Sequence, residues 1–297
     1  MSASSPRQSA GGPSQLLHSE ALSPVFPLLK WAGSKRSQAL RIQALLGPPT
    51  GRYIEPFTGS AAAYLGRTDV PPALLTDASP RLMGFHQVVQ RSPDDLVAAY
   101  RELPLDVAGG YHAVREAFND CSEHATVRQA ARFVWLNRCC FNGLYRETRA
   151  GRFNVGPGDA TRAPRLDVDH VRAVSARLQQ AELAVADFAA TMRRARAGDR
   201  VYADPPYVAL EHRASWTGYT KNGFTVSDHH RLAIAARRAV SRGATVAVSN
   251  HLTELTARGL YAAEDGWRLA EMPKVRRRVG GRGADRRSVR EVVAVLG

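Results

Sequence analysis

The sequence has few cysteines and no grouping of residues typical of a metal site. Its 297 residues include three cysteines, Cys121, Cys139 and Cys140. Their spacing gives neither a zinc-binding pattern nor a disulfide framework, and the adjacent pair Cys139 and Cys140 is most simply interpreted as two small, partly buried residues. We therefore expect neither a bound metal nor a fold that depends on disulfides.

The sequence also lacks a long apolar run. No segment reaches the length that spans a bilayer, and the N-terminus has no signal-peptide core. Residues 1–24 are instead rich in Ser, Gly, Pro and Ala, which predicts a disordered leader, with ordered structure beginning near Phe26. We expect no membrane association, a monomer, and a cytoplasmic location on the nucleoid.

Acidic residues are scarce relative to basic ones. The chain has 41 Lys and Arg against 27 Asp and Glu, a formal net charge of +14, and this excess favours polyanionic partners. Two segments, 128–152 and 274–290, hold twelve of the fourteen net charges. They could be solvated basic faces. However, Trp135, Phe141 and Tyr145 are interleaved with the arginines of the first segment, and this combination favours nucleic-acid binding.

Apolar segments bounded by turn residues predict five strands, at 52–57, 73–79, 200–206, 244–251 and 288–297. Residues 80–190 have a mostly helical pattern with a Gly- and Arg-rich interruption at 143–166. A further helix is predicted at 227–243, capped by Ser227 and ended by Gly243. Strands that alternate with helices predict an α/β fold around a mainly parallel sheet.

Three predicted strands end in polar or turn-forming residues. Glu55-Pro56-Phe57 ends the first, Asp77 ends the second, and Asp204-Pro205-Pro206-Tyr207 ends the third. The last tetrapeptide alone is equally consistent with a simple proline turn, because proline fixes φ and ends a strand. Ligands of parallel sheets bind at the carboxyl ends of the strands, so the three endings together predict one site.

The order of these segments resembles the DNA-adenine N6 methyltransferases of the Dam type, the D12 class. The resemblance covers the chain from Lys30 to about Leu296. It is carried by "LLKWAGSKR", "YIEPFTGSAAAYL", "LLTDAS", "FVWLNRCCFNGLYR…GRFNV", "VYADPPY", "AVSNH" and "KVRRRVGGRGADRRSVREVVAVL". It implies a Rossmann-like methyltransferase sheet with helices on both faces, formed by residues 25–78 and 167–297. It also implies an inserted, mostly helical target-recognition domain at 79–166.

The same resemblance implies S-adenosylmethionine as the cofactor and double-stranded DNA as the partner. Asp77 would bind the ribose hydroxyls, and Trp31 would pack near the adenosine or the methionine portion. The implied cofactor-binding residues are Trp31, Lys35, Glu55, Phe57, Gly59, Asp77 and Asp204. The implied catalytic residues are Asp204, Pro205, Pro206 and Tyr207.

In the implied DNA-binding segment, Arg146 is similar to the family's guanine-reading arginine, and bidentate pairing of Arg with guanine is strongly base-specific. Phe141 is a candidate wedge between bases. Arg276, Arg277 and Arg278 are expected to meet phosphates. The implied nucleic-acid-binding residues are Lys30, Arg138, Phe141, Asn142, Leu144, Arg146, Arg276, Arg277 and Arg278.

Three positions depart from the family pattern. Ser34 stands where the family usually has a second glycine, and Ala61 stands where its cofactor loop usually ends in glycine. After "FNV" the family carries Pro and then a basic residue, whereas this chain has Gly156-Pro157-Gly158-Asp159. The first two departures bear on cofactor binding and the third bears on the DNA sequence that is recognised.

The tetrapeptide 204–207 suits methyl transfer to adenine N6, whose lone pair is delocalised into the ring. The Asp204 carboxylate and the Pro205 carbonyl can accept both N6 hydrogens, and the prolines hold these acceptors rigid. Tyr207 can stack on an adenine turned out of the duplex. The alternatives are a non-catalytic DNA-binding relative, an RNA methyltransferase, and an N4-cytosine methyltransferase, for which Asp rather than Ser at position 204 is unfavourable.

Overall fold

The structure is a computed structural model that describes residues 23–208, 223–273 and 290–297. Nearly all of the predicted leader and the arginines Arg276, Arg277 and Arg278 lie outside the described residues. In the part of the chain that is described, one seven-stranded sheet has the strand order β3-β2-β1-β4-β5-β7-β6. Its strands are β1 (Tyr53–Glu55), β2 (Ala73–Asp77), β3 (Ala181–Val185), β4 (Arg200–Ala203), β5 (Thr245–His251), β6 (Arg268–Glu271) and β7 (Glu291–Leu296).

The first five strands of this order are mutually parallel, and β7 pairs antiparallel with both β5 and β6. The carboxyl ends of β1, β2, β4 and β5 therefore lie at one edge. The helices are α1 (Ala39–Leu46), α2 (Ala62–Leu65), α3 (Pro80–Arg91), α4 (Pro93–Arg101), α5 (Val107–Asn119), α6 (Val127–Cys139), α7 (Val168–Leu178), α8 (Phe188–Arg193) and α9 (Val226–Val240). Short 3₁₀ turns lie at Arg36–Gln38, Phe141–Gly143 and Ala263–Asp265, and a π-helical turn at Leu255–Leu260.

Successive side chains of the central strands point to opposite faces of the sheet, and this divides the core into two layers. Tyr53 and Tyr202 point into a cluster with α1 to α7, whereas their neighbours Ile54 and Val201 point into a cluster with α8 and α9. Both faces of the sheet are thus covered by helices. This confirms the predicted α/β fold.

Two strands, β3 and β6, lie in regions where the sequence predicted none. Both are edge strands, and most of their residues are exposed or half-buried, including Glu182 and Arg268. They consequently lack the apolar run by which buried strands are recognised. The predicted Ser227 cap is also wrong: α9 begins at Val226, and Thr225 caps it in a capping box with Asp228.

The predicted recognition segment 79–166 packs closely on the sheet. In α3, Gln87 Nε2 donates to the Leu183 carbonyl, and Gln90 Nε2 donates to the Leu178 and Ala181 carbonyls. Helices α3 to α6 also share one apolar cluster with strands β1 and β2. The division into two domains stays a prediction.

The backbone explains why Ala61 and Ser34 differ in their consequences. Ala61 is fully buried and has φ +59°, a left-handed conformation that costs an L-residue about 1–2 kcal/mol. Among the described residues that have a side chain, only Asn142 also has a positive φ. Ser34 does not have a positive φ, and its N–H donates to the Trp31 carbonyl at 3.2 Å. Replacement of glycine therefore strains the backbone at position 61 and not at position 34.

We predict that Ala61→Gly is about 1–2 kcal/mol more stable than the matched variant Ala62→Gly. Both changes remove one buried methyl group and both free the unfolded chain, but only the first relieves strain. Urea unfolding of the two variants measures the difference. Equal destabilisation by both would show that the left-handed conformation at Ala61 is not strained.

Candidate active site

The carboxyl edge of the sheet brings together the three predicted strand ends. Glu55 ends β1, Asp77 ends β2 and Asp204 directly follows β4, and these three strands are neighbours in the sheet. The three strand ends thus lie side by side, and that they form one site stays a prediction. Their surroundings differ, however, and each carboxyl group has a different partner.

Asp204 forms an ion pair with Lys35. Lys35 Nζ lies 2.7 Å from Asp204 Oδ2, also donates to the Gly33 carbonyl at 2.7 Å, and lies 5.0 Å from the centre of the Tyr207 ring. Burial raises the pKa of Asp204, while Lys35 and a hydrogen bond with Tyr207 oppose the rise. The ion pair favours the carboxylate form, which can accept a hydrogen bond from an amino group.

The end of β5 holds the chain that follows Asp204. The Val208 N–H donates to Asn250 Oδ1 at 3.0 Å, and His251 Nδ1 lies 3.1 Å from the Val208 carbonyl. The edge of the His251 ring meets the Tyr207 ring, with ring centres 4.8 Å apart. Asn250 is fully buried. The sequence analysis assigned no role to these two residues, although polar residues at the end of an apolar strand were the available signal.

Asp77 holds the loop after β1 by a hydrogen bond. Its Oδ2 accepts from the Gly59 N–H at 3.1 Å, and its Oδ1 accepts from the Ser79 N–H at 3.0 Å. Burial raises the pKa of Asp77, and the hydrogen bonds from backbone N–H groups limit the rise. His86 Nε2 lies 2.8 Å from the Gly59 carbonyl, and burial lowers the pKa of His86 to about 4, so that the ring is neutral at pH 7.

Trp31 lies between the loop after β1 and the segment after α6. A Cβ atom on Gly59, which has φ +51°, would lie 3.0 Å from the Trp31 ring. Trp31 also stacks with Tyr145, with ring centres 5.3 Å apart. Glycine at position 59 is favoured both by the left-handed backbone and by this close approach.

Phe57 belongs to a group of three rings at the same edge. It stacks on Phe188 with ring centres 5.3 Å apart and meets the edge of Phe224 at 5.7 Å. Phe188 begins α8, directly after its N-cap Asp187. The sequence analysis missed Phe188 because it missed β3, and therefore did not examine the residues that follow that strand.

Glu55 is buried below the edge, with 2% of the residue exposed. It accepts a hydrogen bond from the Tyr53 hydroxyl at 2.6 Å. Burial raises the pKa of Glu55 to about 8, although Tyr53 and Arg67 act in the opposite direction. Glu55 is therefore mostly protonated at neutral pH.

Most of the predicted DNA-binding residues that the structure describes lie around the 3₁₀ turn Phe141–Gly143. Phe141 is 51% exposed and Asn142 is exposed with φ +54°, whereas Leu144 is half-buried. Arg146 is exposed on a hairpin, and its Nε donates to Asn154 Oδ1 at 2.9 Å. Lys30 lies against Gly143.

Two other residues of this segment are less exposed. Arg138 is half-buried and donates to the Arg165 carbonyl at 3.0 Å. Trp135 is fully buried and donates to the Pro104 carbonyl at 3.1 Å, so its prediction as part of a stacking surface is wrong. Cys139 and Cys140 are both buried, more deeply than the partial burial that was predicted, and burial raises the pKa of Cys139 to about 12 and that of Cys140 to about 11.

The described residues contain neither a membrane-spanning helix nor a cluster of metal ligands. None of their helices is long and apolar enough to cross a membrane. No group of three or more His, Cys, Asp or Glu side chains in that part of the chain could hold a metal ion.

Comparison with known proteins gives the family. A model of the D12 class N6 adenine-specific DNA methyltransferases matches residues 31–273. The chain is 33% identical over 272 residues to a DNA adenine methylase of Vibrio cholerae serotype O1, covering 90% of this chain and 95% of that protein. It is 34% identical over 275 residues to one of Salmonella typhi, covering 90% and 94%. The retron Ec67 DNA adenine methylase of Escherichia coli is 31% identical over 273 residues, covering 91% of each chain.

The chain therefore belongs to the D12 class of N6 adenine-specific DNA methyltransferases. It is an adenine-specific DNA methyltransferase, and its substrate is DNA. The predicted family is confirmed. The assignment favours DNA over RNA, and adenine N6 over cytosine N4.

We predict that Glu55→Gln changes how stability depends on pH. The pKa of Glu55 is about 8 in the folded protein and 4.5 ordinarily, so between these values the folded protein keeps a proton that the unfolded chain releases. Ionisation of Glu55 should lower the free energy of unfolding of the wild type relative to that of the variant from pH 5 to 8, by at most about 1.4 kcal/mol per pH unit. Glutamine cannot ionise, so the variant should lack this contribution, while groups such as His86 contribute equally to both proteins.

Urea unfolding at a series of pH values measures the effect. The control is Glu182→Gln on the exposed edge strand β3, since an ion pair with Arg194 lowers the pKa of Glu182 and leaves it ionised throughout this range. It should keep the wild-type slope. Parallel curves for Glu55→Gln and the wild type would show that Glu55 ionises normally in the folded protein.

Proposed function

We propose that this enzyme methylates N6 of adenine in double-stranded DNA, with S-adenosylmethionine as the methyl donor, on a base turned out of the duplex. The observation that carries the proposal is the position of Asp204. Its carboxylate is fixed at the end of β4 by Lys35 and lies beside Pro205, Pro206 and Tyr207.

The residues at this edge suit S-adenosylmethionine. The rings of Phe57, Phe188 and Phe224 offer an aromatic surface for its purine. Each Asp77 oxygen accepts one backbone N–H and retains a lone pair that can accept a ribose hydroxyl. We propose that the cofactor is held by Trp31, Lys35, Glu55, Phe57, Gly59, Asp77 and Asp204, with Glu55 acting from beneath the loop.

When bound, the cofactor supplies an electrophilic methyl group carried on a cationic sulfur. The protein has to orient the adenine amino group and polarise its lone pair. Asp204 Oδ2 is held by Lys35, and the Pro205 carbonyl is fixed by the following proline. Two such acceptors can take both N6 hydrogens without a side-chain nucleophile.

Tyr207 is placed to hold the base. Its ring contacts both Lys35 Nζ and the His251 ring, and these contacts leave it little rotational freedom to lose on stacking. A base can reach Asp204 only outside the helical stack, since enzymes that modify a base must extrude it from the duplex. Stacking on Tyr207 would offset part of the cost of extrusion.

We assign DNA recognition to residues 79–166 and catalysis to 25–78 and 167–297. Phe141 and Arg146 carry the support, because both are exposed on the segment that also contacts Trp31 through Tyr145. Arg146 would read a base edge and Phe141 would insert between bases. Lys30, Arg138, Asn142 and Leu144 complete the proposed surface, together with Arg276, Arg277 and Arg278 outside the described residues.

We predict that Asp204→Asn lowers the rate of methyl transfer at least about 100-fold, because the neutral amide weakens one of the two acceptors for the amino group. The measurement is transfer of a labelled methyl group from S-adenosylmethionine to duplex DNA. Binding of S-adenosylhomocysteine by the variant shows that the site is still formed.

The matched control is Glu254→Gln, an exposed carboxylate after β5 that is paired only with exposed Arg258 in the described structure. It should keep wild-type activity. A folded Asp204→Asn enzyme that transfers methyl groups at the wild-type rate would remove Asp204 from the catalytic site.

We predict that Arg146→Ala weakens binding to the cognate duplex by about 1–3 kcal/mol and relaxes discrimination at one base position. The cognate site is first found by sequencing modified bases in DNA from cells that express the enzyme. Binding is then measured on cognate and scrambled duplexes over a salt series.

Arg149→Ala is the control, since Arg149 is an exposed cation on the same hairpin. It should weaken both duplexes alike and reduce the salt slope by about one. If Arg146→Ala also weakens both duplexes equally, Arg146 contacts phosphate only and the sequence is read elsewhere.

A further inference from the structure

One buried amide joins two segments that lie far apart in the sequence. Asn137 on α6 is 2% exposed. Its Oδ1 accepts from the Lys30 N–H at 2.7 Å, and its Nδ2 donates to the Lys30 carbonyl at 2.8 Å and to the Gly143 carbonyl at 3.1 Å. Both donor hydrogens and one acceptor position of the side chain are therefore used.

Asparagine is the residue type that these contacts require. An aspartate has no hydrogens to donate to the two carbonyls, and an apolar residue would leave three backbone groups without these hydrogen bonds. The neighbouring packing reinforces the contact. Gly143 has φ +65°, and a Cβ atom there would lie 2.4 Å from Lys30 Cδ.

Each segment held by Asn137 leads to a different part of the proposed site. Lys30 precedes Trp31, which lies against Gly59 in the loop that Asp77 braces. Gly143 precedes Leu144 and the recognition hairpin. Tyr145 then returns to stack on Trp31, so the two segments are joined twice, once by hydrogen bonds and once by rings.

We propose that Asn137 is a positioning residue that couples cofactor binding to DNA recognition. The inference rests on the proposed function, because it takes Trp31 as part of the cofactor site and residues 141–146 as part of the DNA surface. A ligand that orders Trp31 also orders the backbone of Lys30, and through Asn137 that of Gly143. By linkage, DNA bound at the turn must strengthen cofactor binding by the same factor.

The test compares the affinity of S-adenosylhomocysteine with and without saturating cognate duplex, in the wild type and in Asn137→Ala. In the wild type, DNA should increase the affinity for S-adenosylhomocysteine at least about fivefold. In Asn137→Ala the same increase should be less than about twofold. The substitution should change the affinity for each ligand alone by a smaller factor than it changes this increase. A variant that keeps wild-type coupling would overturn the proposal, as would a wild type without coupling.

Gln129→Ala is the matched control. Gln129 is also a buried amide on α6, but its Nε2 donates to the Phe118 carbonyl, away from both segments. It should lower stability and leave the coupling factor at its wild-type value. Loss of coupling in Gln129→Ala would show that any destabilisation of α6 has this effect, and would overturn the specific role of Asn137.

A measurement on the wild type keeps the proposal testable if Asn137→Ala does not fold. Binding of S-adenosylhomocysteine, without DNA, should slow hydrogen exchange of the Gly143 and Leu144 amides. Unchanged exchange on saturation would overturn the coupling. Failure of the wild type to bind S-adenosylhomocysteine at all would instead reject the proposed cofactor, so the two failures are distinguishable.

Discussion

The ion pair between Lys35 and Asp204 is the interaction on which the site depends. The two side chains are 6% and 20% exposed, so both lose much of their hydration when the protein folds. A pair in this position offers little net stability, but loss of one partner leaves the other charge desolvated and unpaired. The pair also fixes the position of the Asp204 carboxylate, because the same Lys35 Nζ that contacts it also donates to the Gly33 carbonyl. Its main effect is therefore to place one ionised acceptor at a defined point of the sheet edge.

Polar side chains at the same edge hold the surrounding loops. Asp77 holds Gly59 after β1, and Asn250 holds Val208 after β4. Each uses side-chain oxygens to satisfy backbone N–H groups that no strand or helix pairs. Loops fixed in this way lose little further freedom when a ligand binds. Preorganisation here thus comes from residues that need not touch the reacting atoms.

Much of the fold could be predicted from the sequence, because the central strands are apolar and end in recognisable residues such as Asp77 and Asp204. Edge strands β3 and β6 could not, since solvent replaces the apolar neighbours that mark a buried strand. Trp135 looked like a stacking residue among arginines, and only packing shows that it is core. The role of Asn137 depends on contacts more than one hundred residues apart, which spacing does not reveal.

Charge is divided between the two parts of the molecule in a way that suits two ligands of opposite sign. The sheet edge carries Glu55, Asp77 and Asp204, whereas the predicted recognition segment is basic over residues 128–152. Three ionised acids close together would repel DNA phosphates and raise one another's pKa. Because burial raises the pKa of Glu55 to about 8, this side chain is neutral near pH 7. A neutral Glu55 adds no negative charge beside Asp204, so the ion pair with Lys35 favours the carboxylate form of Asp204 against the opposing effects of burial and of Glu291. The negative charge that remains at this edge suits the proposed cationic cofactor.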